Sequence, residues 1–363
     1  MKIIINLLNF TSSNIAGVGY FMKRIFKLLD DQNTEGIKFC ILHSPNIDIQ
    51  KVFSINKKIN AEYKPIKYIP NFILRVLYEQ LILPFRLTGY DVFYSPTPAV
   101  PVLFRNNKIK IISTIHDLIP FFVKEKYSLL RKLYICWITK KSAQISDKII
   151  TVSDNSLYDI VKTLGVQKEK INIVYNFIPN QEIVKDNISK NYFITICTIE
   201  PGKNLSNLLK AFKIFKEKYE MKDFKLYIVG KNGWGYRQIY NIYDELELQN
   251  DVIFTGYLSE EEKNKLLQES MVMLYMSTYE GFGTPLLEAM YWNKPSVVSN
   301  VSSLPEVVGE AGIKCDPNNI EEIADSMYRV IIEKDKLCSN IPNQLKKFDP
   351  QEQLEKFLKI IRT

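Results

Sequence analysis

Met271-Val-Met-Leu-Tyr-Met276, followed by Ser277-Thr-Tyr-Glu280-Gly-Phe-Gly-Thr-Pro-Leu-Leu-Glu288-Ala-Met290, decides the fold. The first six residues form an unbroken apolar run and read as a buried strand. Gly281, Phe282 and Gly283 make a loop in which both glycines allow positive φ and close backbone approach. Thr284 and Pro285 read as a helix start, with a hydroxyl at N-cap and a proline at N1. The helix carries Leu286, Leu287, Met290 and Tyr291 and is expected to end near Asn293, before a second apolar strand, Pro295 to Ser299. This order places the loop at the carboxyl edge of a sheet, where open α/β folds bind ligands.

The loop favours an anion. The first N–H groups of a helix lack partners inside it, and the aligned peptide dipoles add positive charge there. Such a tip holds phosphate. Glu280 and Glu288 flank it and suit hydroxyl groups, because a carboxylate accepts several hydrogen bonds and grips a diol. Phosphate between two hydroxyl-bearing groups describes a sugar nucleotide. The other reading is an ordinary helix N-terminus whose glutamates answer its dipole.

Glu280 to Glu288 resembles the E-x7-E signature of retaining glycosyltransferases of family 4, which have the GT-B fold. Ser277 to Met290, Lys294-Pro-Ser-Val-Val-Ser-Asn300 and Ser303-Leu-Pro-Glu-Val-Val-Gly309 carry the same resemblance. It implies an α/β chain of two Rossmann-like domains facing across a cleft. The expected domains are 1–180, an acceptor domain, and 181–349, a donor domain, with a terminal helix over 350–363 packing back on the first.

The 363 residues suffice for two domains, and 46% hydrophobic content supplies their cores. No apolar run reaches spanning length, and the chain is expected to carry no signal peptide. Cys40, Cys136, Cys197, Cys315 and Cys338 lack C-x-x-C spacing, which points to reduced thiols in a cytoplasm and against structural zinc. With only His43 and His116, a histidine-rich metal centre is excluded. Residues 1–176 hold 25 Lys and Arg against 13 Asp and Glu, and the remainder holds 23 against 27, so the positive excess lies in the amino half. A basic half suits an anionic membrane surface or acceptor, and no nucleic-acid motif accompanies it. A plain solvated basic surface is the competing reading.

In the amino half, Met1 to Leu8 reads as a strand, Gly17-Val-Gly19-Tyr20 as a glycine loop, and Tyr20 to Leu29 as a helix. Met22 stands where G-x-G-x-x-G needs its third glycine, which weakens the dinucleotide reading. Residues 37–44 and 64–69 are expected strands. Asn71 to Leu87 reads as an amphipathic helix whose apolar face, Phe72, Leu74, Leu77, Leu81 and Ile82, is expected to pack in the core, with contact to a membrane as the alternative. Ser95-Pro-Thr-Pro98 turns off the strand Asp91 to Tyr94, and Ile111 to Ile115 ends in His116-Asp117. Lys124 to Lys141 is an expected helix mixing basic and aromatic residues, a pattern shared by lipid interfaces and ordinary packed helices. The strand Lys148 to Val152 and the helix Ser153 to Leu164 follow. A polar linker spans Asn176 to Asn191.

Beyond it, Tyr192 to Thr198 opens a second sheet, and Glu200-Pro-Gly-Lys-Asn204 leads into the helix Leu205 to Tyr219. The resemblance makes Lys203 the diphosphate cation. Gly202 replaces a second cation common in the family, and Cys197 a glycine. Thr255-Gly256-Tyr257 matches a turn beside the nucleobase. Ser259 reads as an N-cap with Glu262 closing a capping box.

The resemblance implies transfer of a hexose, mannose from GDP-mannose as the first expectation, to an acceptor hydroxyl in O-antigen or capsule assembly. Glu280, His116 and Lys203 are its catalytic residues. Gly17, Gly19, Lys203, Gly281, Phe282, Gly283, Thr284, Glu288, Gly256 and Tyr257 bind the donor. No cofactor and no metal are expected. Partners are the nucleotide sugar, a glycan or lipid-linked acceptor and an anionic membrane surface, but not nucleic acid. The expected location is cytoplasmic, peripheral at the inner face of the membrane. Alternatives are a nucleotide-sugar epimerase of the same fold and a non-catalytic sugar-nucleotide-binding subunit.

Overall fold

Runs of branched apolar residues build two parallel sheets. In the computed structural model, which describes residues 1–10, 15, 17–66, 71–103, 108–123, 128–179, 181–184 and 189–363, the chain divides into two compact units. One is Met1–Pro179 with Pro350–Thr363, and the other is Asn180–Asp349.

The amino unit holds β1 (Lys2–Asn6), β2 (Lys38–His43), β3 (Ala61–Pro65), β4 (Val92–Ser95), β5 (Lys110–Thr114), β6 (Lys148–Thr151) and β7 (Ile171–Ile173). Its sheet order is β3-β2-β1-β4-β5-β6-β7 and each pairing is parallel. Ile3, Ile4 and Ile5 in β1, and Ile149 and Ile150 in β6, are buried in succession, as a sheet covered on both faces requires. The helices α1 (Gly17–Leu28), α2 (Phe72–Leu77), α3 (Leu129–Ile145) and α4 (Asp154–Leu164) belong to this unit. The helix Pro350–Arg362 completes it. Phe357 packs edge-on against the buried Tyr94 ring at 5.3 Å, and Gln353 accepts the Tyr175 N–H at 3.0 Å.

The carboxyl unit holds β8 (Tyr192–Ile196), β9 (Lys225–Val229), β10 (Val252–Gly256), β11 (Val272–Tyr275), β12 (Ser296–Ser299) and β13 (Gly312–Cys315). The order is β10-β9-β8-β11-β12-β13, again all parallel. Each sheet therefore runs third-second-first-fourth and onward, and reverses direction of growth between its first and fourth strands. The carboxyl ends of those two strands are where open α/β sheets bind ligands. In the amino unit the two strands are β1 and β4; in the carboxyl unit they are β8 and β11. Three carboxyl-unit helices matter to the site: α5 (Leu205–Lys218), α6 (Glu260–Glu269) and α7 (Thr284–Tyr291). Ser259 caps α6 with the full reciprocal box to Glu262.

Several expectations are corrected. Gly17 and Gly19 lie in the first turn of α1, not in a loop before it. A Cβ on Gly19 would stand 2.6 Å from the Ile15 Cβ, so its small size serves close packing. The N-cap of α7 is Gly283, at φ 97°, and Thr284 is the first helical residue without a side-chain cap. Positive φ occurs at Gly283 and not at Gly281. Residues 72–86 are not a core helix. They form α2, a π-turn at Tyr78–Ile82 and a 3-10 turn at Leu83–Arg86, and the residues expected in the core are exposed. Pro84 lacks the N–H that an α-helix would need for the Gln80 carbonyl, and the wider turn absorbs the break. Lys124, Lys126 and Tyr127, expected to open a helix, lie outside the described residues, as do 67–69 of the expected third strand and 180 and 185–188 of the linker.

Candidate active site

In the carboxyl unit, the first and fourth strands of the sheet deliver the site. After β8 the chain makes a 3-10 turn, Pro201–Lys203, and Asn204 at φ 55° redirects it into α5. After β11 it runs through Ser277–Gly283 into α7. Thr278 ties the two loops, donating its N–H to the Gly202 carbonyl at 3.0 Å. Lys203 then reaches Glu280 at 2.5 Å, and the Tyr275 hydroxyl donates to the same carboxylate oxygen at 3.0 Å.

Burial opposes charge on Glu280. The Lys203 cation and hydrogen bonds from Lys203, Ser277 and Tyr275 outweigh it and hold the carboxyl below its ordinary range. Burial likewise opposes the Lys203 cation, and the Glu280 charge more than offsets it, so the lysine stays protonated. Burial, then the neighbouring Glu280 charge, pushes the Tyr275 hydroxyl far up, leaving it a donor. Desolvation pushes the Cys197 thiol up to about 12, so it is not a thiolate at neutral pH.

The loop carrying Glu280 is pinned from behind. Glu280 donates its N–H to Ser302 Oγ at 3.0 Å, and Ser302 Oγ donates back to the Glu280 carbonyl at 2.6 Å. Ser303 Oγ donates to the carbonyls of Glu280 and Phe282, both at 3.0 Å. Phe282 is buried edge-on against Phe348 at 5.4 Å. Phe282 thus anchors the loop. A Cβ on Gly283 would meet Leu304 Cδ2 at 2.9 Å, which together with its φ demands glycine. At the α7 tip Pro285 has no N–H and the Leu286 N–H bonds the Gly283 carbonyl at 3.0 Å. Thr284 N–H is the first-turn donor that geometry leaves for an anion.

Glu288 lies one turn into α7 and pairs with Lys263 of α6 at 3.0 Å, while Lys263 also holds Glu260 at 2.9 Å. Lys263 is the residue the sequence reading missed; the Glu260–Lys263 spacing on one helix was its only local signal. Gly256 closes β10 at φ 71°, its carbonyl accepting the Gly230 N–H at 2.9 Å, and Tyr257 beyond it is exposed.

The remaining expected residues belong to the amino unit. His116 follows β5. Its Nε2 lies 3.2 Å from the Pro96 carbonyl and its ring packs edge-on to Phe21 at 5.3 Å. A carbonyl only accepts, so Nε2 carries the proton and Nδ1 of the neutral ring is an acceptor. Burial, only partly opposed by that hydrogen bond, lowers the imidazole to about 4 and keeps it neutral. Asn9 Nδ2 donates to Thr97 Oγ1 at 2.6 Å, joining the loops after β1 and β4. Asp117 accepts the Ile119 N–H at 2.9 Å and so caps its turn. Among the described residues no group of three or more His, Cys, Asp and Glu is placed to hold a metal ion.

Two parallel sheets of this order, one with an acid and a lysine paired at the reversal point beside a helix tip, define a GT-B protein. The chain belongs to the GT-B glycosyltransferases: residues 178–348 match the family described as glycosyl transferases group 1, and residues 42–182 match glycosyltransferase family 4. It is 28% identical over 237 residues to the O-antigen chain mannosyltransferase RfbU of Salmonella typhimurium, covering 62% of this chain and 64% of that one. It is 30% identical over 227 residues to O-antigen chain mannosyltransferase B of Escherichia coli, covering 59% of each. The chain thus spans less than two thirds of either relative. The Anabaena protein Alr3699/HepE, solved in complex with UDP and glucose, superposes with a TM-score of 0.74 over the full length of both chains at 16% identity.

Proposed function

We propose that the protein is a retaining glycosyltransferase that moves mannose from GDP-mannose to an acceptor hydroxyl of a surface polysaccharide such as O-antigen or capsule. The observation that carries this reading is the Lys203–Glu280 pair at the sheet reversal, beside the Gly283–Thr284 tip. The two O-antigen relatives, both named mannosyltransferases, support mannose.

Lys203 and the Thr284 N–H offset charge on the diphosphate as the bond from sugar C1 to its oxygen breaks. The acceptor oxygen forms the new bond on the same face, and its proton passes to the departing diphosphate oxygen. Glu280 grips hydroxyls of the transferred sugar, Glu288 those of the ribose, and Gly256 and Tyr257 adjoin the base. His116, neutral, accepts a hydrogen bond from a sugar hydroxyl through Nδ1. Gly17, through the start of α1, is assigned to the donor phosphates, and Gly19 to the packing beneath it. Phe282 and Gly281 shape the tip. The acceptor is a glycan or a lipid-linked glycan. No metal or cofactor is invoked, because the cationic side chain and amides supply the charge.

The test is a thermal-shift screen of GDP-mannose against UDP-linked hexoses. A ligand at a hundred times its Kd adds about 2.7 kcal/mol to a folded protein. For a unit of this size that is a rise in Tm of roughly 5–10 °C. GDP-mannose is expected to give this shift, and Glu288→Ala to remove most of it. An unchanged shift in Glu288→Ala would refute the ribose assignment; a shift with a UDP sugar alone would refute the donor.

A further inference from the structure

Exposed apolar side chains concentrate on one part of the amino unit. Among the described residues, seven large ones between Phe72 and Phe85 and four between Leu129 and Trp137 are exposed, against two, Tyr257 and Ile332, in the whole carboxyl unit. Ile73 is 63%, Phe85 68%, and Leu130 81% exposed. The two stretches adjoin: the Phe72 ring meets Tyr134 of α3 edge-on at 5.3 Å. On α3, Leu130, Leu133, Trp137, Lys140 and Lys141 recur at three- and four-residue spacing and share a face. A contiguous apolar face of this kind marks an interaction surface.

Its charge identifies the occupant. Arg86, Arg131, Lys140 and Lys141 are exposed among these apolar residues. Residues 129–145 contain no carboxylate, and the single one in 71–87, Glu79, is buried against Asn6 and Arg75. A second copy paired about a two-fold axis would bring these cations against their own equivalents with no acid to meet them. An anionic bilayer offers hydrocarbon to the apolar side chains and negative headgroups to the cations. No described helix is long and apolar enough to cross a membrane, so contact is by lying on the surface.

We infer that the amino unit docks on an anionic lipid surface through the face formed by residues 72–86 and α3. The intact protein is mixed with vesicles of phosphatidylcholine, alone or equimolar with phosphatidylglycerol, and the bound fraction is read by co-sedimentation. Binding to the anionic vesicles is expected to exceed that to neutral ones by about tenfold or more and to weaken with salt. Trp137 emission should shift to the blue on binding, and Trp137→Phe should abolish that shift. The pairs Ile73→Ser/Phe85→Ser and Leu129→Ser/Leu130→Ser replace exposed side chains, so folding is retained; each is expected to lower binding about tenfold, while Ile332→Ser leaves it unchanged. Equal binding of both pairs and wild type, absence of anionic preference, or a lipid-free dimer that either pair converts to monomer would each overturn the inference. No nucleotide sugar is present in this assay, so its outcome is independent of the donor assignment.

Discussion

Removing the Lys203 cation tests the site most directly. Lys203 and Glu280 are 16% and 12% exposed, so each is largely withdrawn from water. In Lys203→Met the Glu280 carboxylate keeps Tyr275 and Ser277 as donors but loses its counter-charge. Breaking a fully buried pair costs about 3–5 kcal/mol. Residual exposure brings the expected loss to about 2–3 kcal/mol at neutral pH, or roughly 4–12 °C in Tm. The loss should shrink in acid. In the wild type the carboxyl lies below its ordinary value of 4.5, so its stabilisation is present above that value and lost as pH falls through the folded one. In the variant, burial acts without the lysine and raises the carboxyl, which then protonates and ceases to be a buried charge. Glu280→Gln is the companion. It leaves Lys203 without its neutralising partner, so GDP binding by calorimetry should hold or tighten, while sugar transfer falls by about 10²–10³. Lys203→Met should weaken GDP binding about ten- to a hundredfold, the worth of a charge-assisted hydrogen bond. If Lys203→Met binds GDP as the wild type does and melts at the same temperature at neutral pH, the pairing has neither role.

Two further outcomes follow from particular positions. Gly202 has open space where a Cβ would stand and no positive φ, so Gly202→Arg should fold normally and bind GDP about tenfold more tightly by adding a second cation beside Lys203; weaker binding would mean the cation points elsewhere. Burial, which Arg75 and Asn6 only partly offset, pushes the Glu79 carboxyl up from 4.5 to about 7. The folded state therefore gains relative stability below 4.5 and loses it as pH rises to 7, by up to about 3 kcal/mol. Glu79→Gln should flatten that slope in urea melts between these limits, and an unaltered slope would place the titration in another group.

Much of the carboxyl unit was legible because its signals are local. Strand β11 is an unbroken apolar run, Gly283 is required by its own backbone angle, and Ser259 with Glu262 forms its capping box within one turn. Lys203 and Glu280 each carried a motif, and the sheet order then brought them together. What escaped depends on distant neighbours. Lys263 acts by reaching Glu288 on another helix. Glu79 titrates high because of what covers it, which no residue within the π-turn announces. Residues 72–86 show why periodicity alone misleads: a stripe that repeats at helical spacing looks the same whether the folded chain buries it or leaves it exposed. The start of α1 was placed too late because glycine suggested a loop, where its small size in fact admits Ile15.

The amino unit is written in two pieces, with the 170 residues from Asn180 to Asp349 between them. A ribosome adding about 5–20 residues per second takes roughly 10–30 s to traverse that interval. During it the nascent amino unit has seven strands but lacks the helix whose Phe357 covers Tyr94 and whose Gln353 satisfies the Tyr175 N–H. The half made first is the half finished last, and its β4 region waits uncovered while the carboxyl unit is made and folds.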